Sequence, residues 1–562
     1  MLYLFVTSIA AILPFAARAR IVPAKDPFVT LINGTYRGIH NDAYNQDFFL
    51  GVPYAQPPVG QLRFSRPARL NTSFESVRQA SAYGVDCPGV SPFPGHTMSE
   101  DCLTINIIRP SGYENTSLPV VLWIYGGSYN SGSSSYPSYN LSFMVQESVF
   151  AGMPIIGASL NYRVGPFGFL QSKDIRATGA TNLGLRDVYL GLEWMQENIA
   201  AFGGDPSKVT IWGESAGAGV VGHMTTAFGG SREGLFRGAI AQSGGPLMFF
   251  PPSESLQEST YTGYLKGTGC EHTHGRLDCL RDVPWGTIQN LTGNIVGQFN
   301  PTVDGDIVPE RSALLIAQGN FTKTPLLIGA NTADGAAFAP PGINNDTSLY
   351  NYLRKLGLDD RTVENLLLLY PNIPGYGAPP TYVGRPNSTI GVQYQRAGQL
   401  INDFYYHRGR RYSAQYWSKY KVPVYTYHFG VWPLPGLTEL QGTAHYFETP
   451  FAFYNLDGAG LGSQNAISSF PQVYTDLAKL MCRSWISFVH NLNPNKRPQS
   501  TTEGEALAPE WPVYALNGEL ALEGYGQNFH FDLNVTGAAY IERDIYRIAY
   551  WFSDEVQRQI GS

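Results

Sequence analysis

A serine held between two glycines is the residue whose setting most clearly indicates chemistry. Ser215 stands in Gly213-Glu214-Ser215-Ala216-Gly217, after the apolar run Val209–Trp212 and before a segment of small residues predicted to be a helix. Gly-x-Ser-x-Gly between a strand and a helix forms a nucleophile elbow, a turn so tight that only glycine fits beside the serine. The pentapeptide alone is common by chance, and its strand-and-helix context gives it weight. The pattern predicts that Ser215 is a nucleophile at a sheet edge.

A glycine-rich turn upstream, Tyr125–Tyr129, could stabilise the charge that such a nucleophile creates. Attack on a carbonyl produces an oxyanion, which preorganised backbone N–H groups stabilise. The predicted donors are the N–H groups of Gly127 and Ser128, together with that of Ala216 after the nucleophile. The alternative is a glycine turn without a catalytic role.

The elements that must position these residues alternate between strand and helix patterns. Continuous apolar runs of strand length indicate buried parallel strands, and apolar residues at helical spacing indicate a helix over 182–201. Such alternation predicts an α/β fold with a mostly parallel sheet and helices on both faces. Segments 246–300 and 340–420 break the rhythm and are expected to be insertions that shape a pocket. The predicted strands are 120–125, 154–160, 209–213, 239–242 and 325–329.

Length and charge limit the function classes. The chain has 562 residues, of which 43% are hydrophobic and 15% charged. Length alone suggests several domains, but large α/β enzymes often extend as one decorated domain, and no linker or repeat marks a boundary. A formal net charge of −6 gives no basic footprint, which argues against nucleic acid as a partner.

The N-terminus is typical of a secretory signal. Leu2–Pro14 is mostly apolar and Ala17-Arg18-Ala19 offers small residues at a cleavage site, so residues 1–19 are predicted to be a signal peptide and 20–562 a single domain. The apolar run is too short to span a bilayer, and no stable membrane insertion is expected. N-glycosylation sequons agree with an extracellular location. They lie at Asn33, Asn71, Asn115, Asn140, Asn290, Asn320, Asn345, Asn387 and Asn534.

The five cysteines fall into two sequence-local pairs and one remainder. Cys87 with Cys102 and Cys270 with Cys279 would each close a short loop, worth about 3 kcal/mol per disulfide through the unfolded state. Cys482 lies in an apolar run and is expected to be a buried free thiol. No pair has the spacing of a zinc site.

Several longer motifs together resemble the type-B carboxylesterase/lipase family. Phe202–Gly217 resembles its active-site signature and Glu100–Ile107 its second signature. Asn161–Leu170 and Phe299–Asp306 are similar to further landmarks, all in the family's order between about Gly34 and Trp511. The resemblance implies an α/β-hydrolase fold and hydrolysis of carboxylic esters with no metal or organic cofactor.

The resemblance also implies the two residues that complete a catalytic triad, in the order acid and then histidine. The family places its acid in Gly-x-x-x-x-Glu-Gly, which Gly329–Gly335 matches with Asp334 in place of glutamate. The family's Gly-x-x-His is matched by Gly442–His445, so His445 is the predicted general base. The alternatives are an Asp-Gly turn at 334 and a surface histidine at 445.

Two departures from the family pattern bear on function. Ser128 replaces the usual third oxyanion glycine; its N–H can still donate. The loop between Cys87 and Cys102 is much shorter than the mobile lid that this loop forms in the family's lipases, and it carries no tryptophan of the kind that holds choline in cholinesterases. The sequence therefore argues against a choline site and a large lid.

Three hypotheses follow from the residues and the resemblance. The first is a secreted carboxylesterase acting on a small-molecule or lipid ester through an acyl-enzyme. The second is a true triacylglycerol lipase acting at an interface. The third, an adhesion or binding module without catalysis, normally lacks the nucleophile and is disfavoured because all three triad residue types are present. The sequence leaves the oligomeric state open.

Overall fold

The computed structural model describes residues 26–560 except for 91–93, 233, 249–250, 296, 298, 435, 463–464, 498–508, 515–525, 535 and 540–544. The predicted signal peptide, residues 1–19, lies outside the described residues.

The described strands form one large sheet and one small one. The small sheet has the order β1-β2-β5, and the large sheet has the order β14-β13-β12-β11-β10-β9-β7-β8-β6-β4-β3. The strands are β1 Phe28–Leu31, β2 Gly34–Arg37, β3 Ile39–Asn41, β4 Gln46–Pro53, β5 Arg78–Gln79, β6 Thr104–Pro110, β7 Leu118–Ile124, β8 Ile156–Leu160, β9 Gly204–Glu214, β10 Gly238–Gln242, β11 Leu326–Asn331, β12 Val424–Phe429, β13 Asn528–Phe531 and β14 Gly537–Ala539.

The centre of the large sheet is parallel and its edges are antiparallel. The strands from β8 through β7, β9, β10, β11 and β12 to β13 run parallel to one another, whereas β3, β4 and β6 at one edge and β14 at the other pair in antiparallel fashion. Every residue of β7, β8 and β10 is buried because helices cover both faces. The predicted α/β-hydrolase architecture and the five predicted strands are confirmed.

The described helices surround this sheet. They are α1 Ser142–Phe150, α2 Gly165–Phe169, α3 Lys173–Ala177, α4 Leu183–Asn198, α5 Ala216–Thr226, α6 Glu254–Thr268, α7 Arg276–Asp282, α8 Trp285–Thr292, α9 Ser312–Gln318, α10 Asp346–Lys355, α11 Asp360–Leu369, α12 Tyr394–Asn402, α13 Arg408–Lys419, α14 Thr449–Phe453, α15 Gln472–Asn491, α16 Ile545–Trp551 and α17 Asp554–Ile560. The segment Asp403–His407 forms a π-helix between α12 and α13. No described helix is long and apolar enough to cross a membrane.

The helix predicted over 182–201 is present but ends earlier. The α-helical part, α4, stops at Asn198, and a 3-10 turn continues to Phe202. Gly203 then adopts a φ of 85°, a left-handed conformation that glycine reaches without steric cost and that ends the helix. The expected insertions are also helical: 246–300 contains α6 to α8, and 340–420 contains α10 to α13.

The cysteines pair as the sequence predicts. The structure joins Cys87 to Cys102 and Cys270 to Cys279, and Cys482 is a buried free thiol on α15. None of the sequon asparagines is buried: Asn33 and Asn140 are partly exposed, and the rest are exposed.

Candidate active site

The nucleophile elbow lies at the carboxyl end of β9, where the chain turns directly into α5. Ser215 has φ 56° and ψ −127°, an unfavourable conformation for a residue with a side chain. A Cβ on Gly213 would lie 2.4 Å from the backbone carbon of Gly217, and a Cβ on Gly217 would lie 2.1 Å from the Ile124 carbonyl oxygen. Only glycine fits on both sides of the serine, as the sequence pattern requires.

The glycine-rich turn after β7 packs directly on the elbow. A Cβ on Gly126 would lie 2.9 Å from Cβ of Ser215, so the two backbones are in close contact. Gly127 and Ser128 have φ of 106° and 55°, which turn the chain sharply at this point. The N–H groups of Gly127, Ser128 and Ala216 donate to no acceptor among the described residues. All three are therefore free to stabilise an oxyanion.

The acid and the base are joined by a short hydrogen bond. His445 Nδ1 lies 2.7 Å from Oδ1 of Asp334, so the shorter arm of aspartate reaches the imidazole. Asp334 is fully buried just after β11. Its other oxygen, Oδ2, accepts from the backbone N–H of Asn331 at 2.6 Å and from the Ser243 hydroxyl at 3.0 Å. These bonds restrict the movement of the carboxylate beside the histidine.

The acid loop and the histidine loop are bonded to each other. The N–H of Ala333 donates to the Thr443 carbonyl at 3.1 Å, and the Asn331 side chain donates to the Ala444 carbonyl at 2.7 Å. Thr443 in turn donates from its hydroxyl to the Val431 carbonyl at 2.8 Å. These contacts, which we call the loop brace, hold the ends of β11 and β12 at one geometry.

The other nitrogen of His445 faces Glu214, the residue before the nucleophile. Nε2 lies 3.2 Å from Oε1 of Glu214, although neither atom makes a hydrogen bond with a described residue. No hydrogen bond joins Nε2 to the Ser215 hydroxyl within the described part of the chain. Catalytic hydrogen bonds of this type are often loose until substrate binds.

A second buried glutamate lies behind the acid. Glu448 accepts from Gln242 at 3.2 Å and from Ser243 at 3.3 Å through Oε1, and from the Asn331 side chain at 2.6 Å through Oε2. Ser243 is therefore within bonding distance of both Glu448 and Asp334. The site contains three enclosed carboxylates around one imidazole.

These charges shift one another's proton affinities. Burial raises the pKa of Glu214 to about 8, and burial together with the charge of Asp334 raises the pKa of Glu448 to about 7. Burial alone would lower the pKa of His445, but the nearby Glu214 and Asp334 carboxylates outweigh it and raise the pKa to about 9. The cluster thus retains protons that isolated carboxyl groups would have lost at neutral pH.

Two aromatic rings flank the imidazole. The ring centroid of Tyr406 lies 5.0 Å from that of His445, and the ring of Phe338 lies 5.1 Å away in an edge-on arrangement. Tyr406 is almost fully buried, whereas Phe338 is 45% exposed. They form an apolar wall beside the acid–base pair.

Of the residues that the sequence assigned to catalysis, the structure joins His445 to Asp334, places His445 against Glu214 next to Ser215, and packs the glycine-rich turn on the elbow. The sequence named no role for Glu214, Glu448, Ser243 or Tyr406, although Glu448 follows His445 by three residues. Asp304, the carboxylate of the Phe299–Asp306 motif, accepts from Thr181 and Asn182 at 2.7 and 2.9 Å and pairs with Arg186 at 3.1 Å. Among the described residues, no group of three or more His, Cys, Asp or Glu is placed to hold a metal.

Comparison with known proteins gives a consistent picture. The model of the carboxylesterase family matches residues 25–531. Lipase 1 of Geotrichum candidum is 32% identical, over 89% of this chain and 92% of the relative. Secreted lipase 1 of Botryotinia fuckeliana is 31% identical, over 91% and 92%. The crystal structure of Aspergillus niger EstA superposes with a TM-score of 0.81 at 28% identity, covering 96% of this chain and 99% of EstA.

Proposed function

Since the chain belongs to the carboxylesterase family and is a carboxylic ester hydrolase, we propose that it works through a covalent acyl-enzyme on Ser215. The observation that carries this proposal is the 2.7 Å hydrogen bond between His445 and Asp334 beside a serine held in a strained elbow. Asp334 orients the imidazole and stabilises its protonated form, as the acid does in other triads.

The first half-reaction releases the alcohol. His445 Nε2 accepts the proton of the Ser215 hydroxyl as its oxygen bonds to the ester carbonyl carbon. The carbonyl oxygen becomes an oxyanion that the amides of Gly127, Ser128 and Ala216 stabilise. When the tetrahedral intermediate collapses, the alkoxy C–O bond breaks and His445 returns its proton to the leaving oxygen.

The second half-reaction repeats these steps with water. His445 takes a proton from water as the hydroxide bonds to the acyl carbon, and the same three amides stabilise the second oxyanion. Collapse breaks the bond to Ser215, which recovers its proton from His445 and releases the acid. Proton transfer of this kind contributes about 10²- to 10⁴-fold to the rate.

Active-site labelling tests this assignment. A fluorophosphonate probe should label the native protein and should not label Ser215→Ala, which fits the elbow but has no nucleophile. Ser231→Ala, which removes an exposed hydroxyl elsewhere, is the matched control and should label like the native protein. Equal labelling of Ser215→Ala would place the nucleophile at another residue.

We further propose that residues 1–19 are a cleaved signal peptide and that 20–562 is a single secreted, glycosylated domain. The two disulfides support an oxidising compartment. The exposure of the sequon asparagines leaves them available to a glycosyltransferase.

A second candidate, a triacylglycerol lipase, is favoured by the names of the relatives, which include a secreted triacylglycerol lipase from Gibberella zeae at 31% identity. The half-exposed Phe338 beside His445 would suit a long acyl chain. Against it stands the short loop between Cys87 and Cys102, which is too small to form a large lid. We therefore favour an esterase with access to soluble substrate.

A further inference from the structure

Tyr406 occupies an unusual position for a polar side chain. It lies on the π-helix Asp403–His407, a type of insertion that is rare and frequently found at functional sites. Its side chain packs against Met248 and Ala330, and its ring stands 5.0 Å from that of His445. Only 3% of Tyr406 is exposed, yet it forms part of the wall of the active site.

The hydroxyl of Tyr406 has no partner within the described part of the chain. Buried tyrosines usually satisfy this group with a hydrogen bond. Among the described residues, the Tyr427 hydroxyl is both unpartnered and fully enclosed, whereas the Tyr406 hydroxyl is unpartnered but keeps some accessible surface. Burial and the charges of Asp334 and Glu214 hold its pKa well above 10, so the group is a neutral donor at every working pH.

The remainder of the site is rich in acceptors and poor in free donors. Glu214, Glu448 and Asp334 supply carboxylate oxygens, and the three free amides of the glycine-rich turn and the elbow are required by the scissile carbonyl. The protons that the cluster retains are shared among Glu214, Glu448 and His445. The Tyr406 hydroxyl is a further donor, outside that cluster, for a second oxygen on the substrate. An unsatisfied donor in a desolvated pocket favours ligands that carry an acceptor.

We propose that Tyr406 is a specificity residue whose hydroxyl donates a hydrogen bond to a second oxygen of the substrate, close to the scissile ester. This inference rests on the proposed function of the same site. The preferred substrates are esters with a hydroxyl or carbonyl oxygen near the reacting carbonyl, in either the acyl or the alcohol part, rather than simple alkyl esters.

Matched ester pairs measure this preference and locate the oxygen. Ethyl 3-hydroxyhexanoate against ethyl hexanoate probes the acyl part, and 2-hydroxyethyl hexanoate against propyl hexanoate probes the alcohol part. Tyr406→Phe keeps the ring and removes only the donor. For the oxygen-bearing ester of one pair, we expect kcat/KM of this variant to fall about fivefold, which is the scale of one neutral hydrogen bond. For the alkyl ester of the same pair, kcat/KM should fall less than twofold.

Tyr405→Phe is the matched control, since it removes the same group one residue earlier on the π-helix, and it should leave both ratios unchanged. Thermal unfolding of each variant checks that the fold is intact. If Tyr406→Phe lowers kcat/KM equally for all four esters, or for none, the inference is refuted. Failure of the proposed function would look different: the native protein would hydrolyse neither alkyl ester, or the fluorophosphonate would still label Ser215→Ala.

Discussion

Glu214 should set the pH at which the enzyme becomes active. Its carboxylate lies 3.2 Å from Nε2 of His445, the nitrogen that must be unprotonated to accept the serine proton. The negative charge stabilises the imidazolium and contributes to raising the pKa of His445 to about 9. Glu214→Gln keeps the shape of the side chain and removes the charge. The pKa of His445 should therefore fall toward its ordinary value.

The size of the effect follows from the distance. Two unit charges 3.2 Å apart interact by about 5 kcal/mol at an effective dielectric constant of about 20, which sets a ceiling of just under four pKa units. Glu214 has its own pKa raised to about 8, so it is protonated for part of the titration and exerts only a fraction of that charge. We expect the apparent pKa of the pair to fall by about one to two units.

The sign is fixed by the role of the base. In the native enzyme kcat/KM should rise with pH until His445 loses its proton, with a midpoint near 9. In Glu214→Gln the midpoint should move to lower pH. The ratio of variant to native kcat/KM should therefore be higher at pH 6 than on the high-pH plateau. The plateau itself should fall, because Glu214 also stabilises the imidazolium in the transition state.

The assay is kcat/KM for a soluble ester from pH 5 to 10 in buffers of constant ionic strength. Glu439→Gln, which removes an exposed charge from the segment before His445, is the matched control and should leave the midpoint in place. If the midpoint of the pH profile is unchanged or higher in Glu214→Gln, the reasoning is refuted. Glu214 would then be neutral, or too far from His445, when the imidazole titrates.

Three other outcomes test the remaining assignments. Asp334→Asn should lower kcat by orders of magnitude, and Asp334→Glu should lower it by less. Asp304→Asn should lower the free energy of unfolding and change kcat little. If Asp334→Asn keeps a near-native kcat and an intact fold, the acid is another residue. Hydrolysis rate against tributyrin concentration should rise smoothly through the solubility limit, because the loop between Cys87 and Cys102 is short, and a sharp jump there would favour the lipase. Edman sequencing of the extracellular protein should begin near Arg20, with a lower mass after deglycosylation, and an intact N-terminus would contradict the signal peptide.

The strands and the elbow could be predicted from local sequence because local physics determines them. A buried parallel strand such as β7 needs an unbroken apolar run, and a turn as tight as that at Ser215 needs glycine on both sides. The acid and the histidine required the resemblance as well. Nothing around Asp334 or His445 distinguishes them from an ordinary turn until the fold brings their loops together.

The buried carboxylate cluster could not be predicted, because contacts between residues far apart in the sequence bring its members together around His445. Glu448 is one glutamate among many in the sequence, and only its contact with Asn331 and Ser243 reveals a buried charge. The same holds for Tyr406, which lies in an aromatic stretch that is indistinguishable from core. The π-helix that turns its ring toward His445 leaves no periodic signal in a five-residue segment.

The loop brace has a consequence for how such enzymes diverge and how they can be recombined. Because Ala333 and Asn331 bond to the backbone of Thr443 and Ala444, a displacement of the acid loop would move the histidine loop with it. A chimaera that takes the acid loop from one homologue and the histidine loop from another inherits two partners that were never selected together. We therefore expect crossover points outside the span from β11 to α14 to preserve activity, because both loops then come from the same parent.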